Sequence, residues 1–237
     1  IFSIMVTTHT IDTKKHECYT FGSLIRSFFM TEFLLLAFEI TGTVAFAVSG
    51  AILGLEKRMD ILGISILGLT TAVGGGVIRD LILGITPPMT FRNPIYATIA
   101  IATSILVFII AGKYPLFKGR LYDLIMLIMD SVGLGVFTVI GINTAYSLDN
   151  EYSTFLLIFV GVATGVGGGV IRDMMAGVAP YIFVKHFYAS ASIIGAVACV
   201  VIWPYAGSVP SMFMGTAVII ILRLCAAKFR WSLPKAQ

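Results

Sequence analysis

The heptapeptide Gly-Gly-Gly-Val-Ile-Arg-Asp occurs twice in this chain, at residues 74–80 and 167–173, 93 residues apart. Each copy places an arginine and an aspartate inside an apolar stretch long enough to cross a membrane. Charged side chains at membrane depth are rare, and they face the interior of a helix bundle or a water-filled cavity. The two copies therefore predict an internal duplication built around a polar cavity.

The glycine triplets have two interpretations. Small residues allow membrane helices to pack closely, and consecutive glycines also weaken a helix, because glycine loses the most backbone entropy on folding. Three adjacent glycines face three directions of a helix, so we expect a break in both helices rather than plain packing. The triplets are Gly74, Gly75, Gly76 and Gly167, Gly168, Gly169.

A helix break leaves backbone carbonyls without partners, and such carbonyls bind potassium and sodium ions well. The predicted cation ligands are therefore the backbone carbonyls of Gly74, Gly75, Gly167 and Gly168. A break also exposes the N-terminal end of a second half-helix, where a carboxylate is favoured. We expect Asp80 and Asp173 to lie near such ends.

Six charged side chains are predicted inside the membrane, and all should face inward because lipid rejects them. They are Glu39, Arg79, Asp80, Asp130, Arg172 and Asp173. Four acids and two arginines leave two negative charges, which favours a cation in the cavity. An arginine does not lose its charge at physiological pH, so each needs an acid; symmetry between the repeats pairs Arg79 with Asp130 and Arg172 with Glu39.

The composition excludes a water-soluble domain. Apolar residues make up 58% of the chain and charged residues 12%, whereas a soluble domain carries about 25% charged residues. The net charge of +4 comes without a basic run, so it indicates membrane orientation and not nucleic-acid binding. The cysteines are three and far apart, and no catalytic or phosphate-binding pattern occurs, so we expect neither an enzyme nor a resident cofactor.

Apolar runs of about 20 residues predict an all-α membrane protein with seven spanning helices. The predicted spans are 33–55, 61–84, 93–112, 121–146, 152–177, 188–207 and 210–227. Acid, glycine, phenylalanine and glycine recur in the same spacing from Glu39 and from Asp130. Residues 33–112 and 121–207 are therefore two three-helix repeats, and the odd number of helices inverts the second. Residues 1–32 are an N-terminal tail, and residues 210–237 form the seventh helix and a cytoplasmic tail.

The lysines and arginines outside the membrane predict the orientation. Ten of them, Lys57 and Arg223 included, lie on one side of this arrangement and four, Arg92 included, on the other. This puts the N-terminus outside and the C-terminus in the cytoplasm. Lys185 and Arg92 occupy equivalent positions just beyond spans five and two. At these positions both are predicted to extend to the membrane interface. Lys185 is also a candidate for gating a pore mouth.

The duplicated motif on the second helix of a three-helix repeat, followed by a seventh span, resembles the trimeric intracellular cation channels, the TRIC family, in its prokaryotic branch. The similarity covers about residues 33–227. The resemblance implies a homotrimer with one path for potassium and sodium in each protomer, surrounded by spans one, two, four and five and kinked at both triplets. It implies a multi-pass protein of a prokaryotic cell membrane, in contact with membrane lipids.

Two other functional classes remain open. Inverted repeats with broken helices are also the plan of secondary transporters, so transport of a small zwitterion such as glycine is the alternative. A membrane scaffold would need only the close packing of small residues. Six buried charges argue against a scaffold, and the passive cation channel is the leading interpretation.

Overall fold

The computed structural model describes residues 31–113, 120–148, 152–184, 187–229 and 231, and these are helical apart from short connections. The helices are α1 (Thr31–Glu56), α2 (Ile61–Ile82), α3 (Met89–Arg92), α4 (Ile95–Lys113), α5 (Arg120–Ser147), α6 (Thr154–Met175), α7 (Tyr181–Val184), α8 (Ala189–Ala206) and α9 (Ser208–Phe229). The chain forms two units, Ile1–Ala37 and Phe38–Gln237. The described part of the first unit is the beginning of α1.

Seven of the described helices are long and apolar enough to cross a membrane. They begin and end within about two residues of the predicted spans, apart from the short helices α3 and α7, which the sequence did not indicate. The chain is a multi-pass membrane protein with an all-α fold. Most of the predicted tail, 1–32, lies outside the described residues.

The predicted helix breaks are wrong. Helix α2 is continuous through its triplet and continues to Ile82, and α6 continues in the same way to Met175. Only the last four carbonyls of an α-helix lack a partner within the helix, and each triplet ends six residues before the last residue of its helix. Their carbonyls are therefore within reach of the helix's own N–H groups and are not freed for cations.

The middle glycine of each triplet allows close packing between α2 and α6. A Cβ built on Gly75 would overlap the carbonyl oxygen of Thr164, and a Cβ on Gly168 would overlap that of Thr71. Residue numbers along the two helices run in opposite directions at this crossing, so the helices are antiparallel. Backbone-to-backbone approach of this kind requires a residue without a side chain.

The helices α1 and α5 repeat this antiparallel arrangement. The rings of Phe46 and Phe137 stack with their centroids 5.2 Å apart. Phe46 covers Gly133, and Phe137 lies 3.1 Å from the position of a Cβ on Gly42. The two contacts are equivalent when the repeats are exchanged, as a pseudo-two-fold axis between the repeats requires. The two pairs, α1–α5 and α2–α6, hold the buried centre of the described bundle.

Both motif-bearing helices end in the same cap. Gly84 follows α2 with φ of +73°, and the N–H of Ile85 donates to the carbonyl of Asp80 at 2.8 Å. Helix α6 ends likewise at Gly177, which has φ of +66°. This is the glycine-dependent termination in which the chain turns sharply out of the helix. The Arg-Asp pair of each motif therefore lies in the last turn of its helix.

Candidate functional site

Each motif aspartate connects the end of one helix to the start of the next. The carboxylate of Asp80 accepts from Arg79 at 2.8 Å and from the backbone N–H of Met89, the first residue of α3, at 2.8 Å. The repeat has the same arrangement, in which Asp173 accepts from the N–H of Tyr181 at 2.8 Å. The sequence placed both aspartates at helix N-termini; they lie at C-termini and instead cap the short helices that follow.

Because α2 and α6 are antiparallel, the two motifs lie at opposite ends of this helix pair. We call the group formed by Glu39, Arg79, Asp80 and Tyr96 the first cluster, because Tyr96 binds Glu39 and interacts electrostatically with Arg79, which pairs with Asp80. The group formed by Asp130, Arg172, Asp173, Tyr188 and Arg223 is the second cluster. The sequence identified six of these nine residues, and it missed the two tyrosines and Arg223.

Arg172 is the centre of the second cluster. Its guanidinium contacts Asp130 at 2.8 Å and Asp173 at 2.8 Å, and it donates to the hydroxyl of Ser49 on α1. The side chains of Arg172 and Asp130 are fully buried. Burial without pairing would be very costly for each of these charges, so the second cluster fixes α5, α6 and α1 in one arrangement.

The seventh span supplies a further cation to the second cluster. Arg223 on α9 contacts the second carboxylate oxygen of Asp130 at 3.2 Å and is only 3% exposed. Its guanidinium also lies over the ring of Tyr188, 4.7 Å from the centroid. The pattern of charges along the sequence predicted a cytoplasmic position for Arg223. Its position inside the apolar run 210–227 was the signal that would have placed it in the membrane.

The first cluster has fewer ionic contacts. Glu39 on α1 accepts a hydrogen bond from the hydroxyl of Tyr96 on α4. Arg79 binds Asp80 at 2.7 Å, and this is its only ion pair among the described residues. Tyr188 occupies the corresponding place in the second repeat, where its hydroxyl lies 3.4 Å from Asp130. Tyrosine and acid therefore pair in both repeats.

The predicted pairing of the arginines across the repeats is wrong. Arg172 binds Asp130 of its own repeat rather than Glu39, and Arg79 binds the adjacent Asp80 rather than Asp130. A pseudo-two-fold axis is satisfied equally by pairs within each repeat and by pairs between repeats. Symmetry alone therefore could not decide between the two patterns.

The two clusters differ in how closely they are packed. A Cβ built on Gly169 would lie 2.8 Å from the hydroxyl of Tyr188, whereas a Cβ on Gly76 meets only Arg79, at 4.0 Å. Arg79 is 8% exposed and Arg172 is fully buried. The first cluster therefore borders open space, and the second is closed by protein.

The remaining predicted site residues are distributed as follows. Gly74 and Gly167 face isoleucines of the opposite motif, Ile171 and Ile78, at 2.6 and 2.8 Å from the position of a Cβ. Lys185 lies outside the described residues, and its sequence counterpart Arg92 is exposed and donates to the carbonyl of Thr86 at 2.8 Å. In the described part of the chain, no group of His, Cys, Asp and Glu side chains is arranged to hold a metal ion.

Known proteins are similar to this chain both in sequence and in the arrangement of helices. The profile of the family described as Glycine transporter matches residues 36–112 and 127–204, which are the two repeats. The inner membrane protein YadS of Escherichia coli is 38% identical over 199 residues, or 83% of this chain and 93% of that protein.

Solved structures give the same result. The crystal structure of a prokaryotic TRIC channel in 0.5 M KCl matches with a TM-score of 0.78 and 30% identity, covering 85% of this chain and 100% of that one. The chain belongs to the prokaryotic branch of the TRIC family. The TRIC orthologue of Rhodobacter sphaeroides also matches, with a TM-score of 0.76 and 30% identity over 84% of this chain and 99% of that one.

For this TRIC member, the match explains the order of the helices and the inverted repeat. The profile match includes every residue of the two clusters except Arg223, which lies beyond residue 204.

Proposed function

We propose that this TRIC member is a passive channel for monovalent cations, potassium and sodium, with an ion path inside each protomer of a homotrimer. The observation that carries the proposal is the match of 84–85% of the chain to two solved TRIC channels at TM-scores of 0.76 and 0.78. One of these structures is described as a trimeric intracellular cation channel orthologue.

The charge clusters support a path for cations between α1, α2, α5 and α6. A free guanidinium would repel a permeating cation, but Arg79, Arg172 and Arg223 are each paired with a carboxylate. The path cannot run through the crossing of α2 and α6, because the backbones touch there. It must run beside that crossing, from the first cluster at one end of the helix pair to the second cluster at the other.

We place the protein in the plasma membrane of a prokaryote, with the N-terminus outside and the C-terminus in the cytoplasm. A relative with 38% identity is described as an inner membrane protein. Removing the buried Arg223 from the cytoplasmic charges leaves nine against four, so the positive-inside rule still gives the same orientation.

Recording from planar bilayers tests the channel function. The purified full chain, in a gradient of potassium chloride, should give unitary currents that reverse near the potassium equilibrium potential, whereas protein-free bilayers should give none. Native mass spectrometry in detergent tests the homotrimer. Absence of unitary currents from folded trimeric protein would contradict the proposal.

Transport of glycine is the second candidate, because the matching family profile is described as Glycine transporter. An arginine and an acid side by side complement the carboxylate and ammonium groups of a zwitterion, and both clusters offer this pair. Uptake of radiolabelled glycine into proteoliposomes separates the two functions. A carrier would show saturable glycine uptake without unitary currents, and a channel would show the reverse.

A further inference from the structure

We propose that Glu39 sets the preference of this protein for cations over anions, and that Arg223 cancels the equivalent contribution of the second cluster. The proposal rests on the proposed cation-channel function. It assigns unequal roles to two clusters that the sequence presents as equivalent, and it depends on the charges that the described side chains bring together.

The charges of the second cluster cancel. Its carboxylates belong to Asp130 and Asp173, and its guanidinium groups belong to Arg172 and Arg223. Asp130 lies between the two arginines, with one carboxylate oxygen toward each. Among the residues that the structure describes, the second cluster therefore presents no net charge to a permeating ion.

The first cluster retains one negative charge. Asp80 is neutralised by Arg79, but Glu39 has no ion pair among the described residues and accepts only a hydrogen bond from Tyr96. A hydroxyl donor stabilises a carboxylate without cancelling its charge. The seventh span supplies a cation to one repeat only. The surroundings of the duplicated acids, Glu39 and Asp130, therefore differ in net charge.

The packing places the uncancelled charge at the more accessible end. The space beside Gly76 and Arg79 is open, whereas Tyr188 closes the equivalent space beside Gly169. The carboxylate of Glu39 is partly buried and not sealed. A negative charge beside open space raises the local concentration of cations and lowers that of anions.

The remaining described cation near the first cluster does not cancel Glu39. The guanidinium of Arg92 is exposed and donates to the carbonyl of Thr86. Charges that are exposed to water are screened by salt over about 8–10 Å at physiological ionic strength. The partly buried Glu39 is screened less, so it dominates the potential at this end.

The test measures reversal potentials in a gradient of potassium chloride for the full chain in bilayers. Glu39→Gln should lower the permeability ratio of potassium to chloride by about tenfold, because one unit charge about 6 Å from the ion in water changes the potassium and chloride permeabilities by about threefold each, in opposite directions. Glutamine retains an acceptor for the Tyr96 hydroxyl, so the variant should fold. Arg223→Gln should raise the same ratio, because it leaves the second cluster with one negative charge.

The chain offers a matched control on the same helix. Glu56 is an exposed acid of α1 that also accepts from a tyrosine hydroxyl, that of Tyr122, and it belongs to neither cluster. Glu56→Gln should leave the permeability ratio unchanged, and Arg223→Lys should restore the wild-type ratio. These two variants separate the net charge of the clusters from a general effect of surface charge.

The outcomes distinguish the two proposals. Wild-type protein without unitary currents would overturn the channel function and this inference with it. Wild-type currents with an unchanged ratio in Glu39→Gln would overturn the inference and leave the channel function standing. If Arg223→Gln fails to fold, Glu39→Gln and Glu56→Gln still decide the question.

Discussion

Gly75 packs directly against the backbone carbonyl of Thr164 on the neighbouring antiparallel helix. Gly75→Ala should therefore destabilise the protein by about 1–3 kcal/mol, the usual cost of overpacking a close contact. Thermal unfolding in detergent, followed by size-exclusion chromatography, measures the effect. Gly76→Ala is the control, because a Cβ at Gly76 meets only the flexible end of Arg79. Equal stability of the two variants would contradict the packing role of the middle glycine.

Replacing the two motif arginines by lysine should change the stability of the protein to different extents. Arg172→Lys should lose at least one of its bonds to Asp130, Asp173 and Ser49, because an ammonium group cannot reproduce the planar fork of arginine. The expected cost is about 1.5–3 kcal/mol, typical of a hydrogen bond to a charged group. Arg79→Lys should cost less, since Arg79 has one carboxylate partner in the described structure. Unfolding midpoints measured in the same detergent compare the stability of the two variants. A larger loss of stability in Arg79→Lys than in Arg172→Lys would contradict the prediction.

The carboxylate of Asp80 should hold the beginning of α3 against the end of α2. Asp80→Ala removes the acceptor for the N–H of Met89, so amide exchange across residues 86–93 should accelerate. Hydrogen–deuterium exchange with mass spectrometry measures this, and for Asp80→Ala the peptides of α9, which carries no residue of the first cluster, provide the internal control. Asp173→Ala should have the same effect at Tyr181. Unchanged exchange in both segments would show that the aspartates do not act as caps.

Single cysteines that replace Lys57 and Arg92 should be accessible to a labelling reagent from opposite sides of the membrane. The substitutions are made in a chain whose own Cys18, Cys199 and Cys225 are replaced by alanine. Because Lys57 is predicted to be cytoplasmic, a membrane-impermeant maleimide applied to intact cells should modify the cysteine at 92 and not that at 57. The opposite pattern would invert the proposed orientation.

The membrane spans could be predicted from the sequence, because the bilayer fixes both the length and the composition of a spanning helix. The duplication was equally readable, since acid, glycine and phenylalanine recur from Glu39 and from Asp130. The short helices α3 and α7 were not, because four residues carry no periodic signal. In each of them the N–H of the first residue donates to a motif aspartate, Asp80 or Asp173, that lies eight or nine residues earlier in the chain.

The behaviour of the glycine triplets could not be predicted from local propensity. Glycine weakens an isolated helix, but in α2 and α6 the loss is offset by the close contact that the missing side chains permit. The sequence does not show which neighbour will lie against Gly75 or Gly168. The packing interpretation, which the sequence analysis set aside, is the correct one for these two glycines.

The partners of the buried charges were also hidden, for a different reason. Arg223 follows the second repeat in the sequence, so an argument built on the repeat does not include it. Its contact with Asp130 joins residues 93 positions apart, and only the packing of α9 against α5 reveals it.

The position of Arg223 also has a consequence for the biogenesis of the protein. Asp130 enters the membrane with α5, but Arg223 belongs to α9, which is synthesised after α6 and α8. During insertion, the second repeat therefore exists for a time with Asp130 bound to Arg172 alone. The arrival of α9 brings Arg223 to Asp130 and completes the neutralisation of the buried acid.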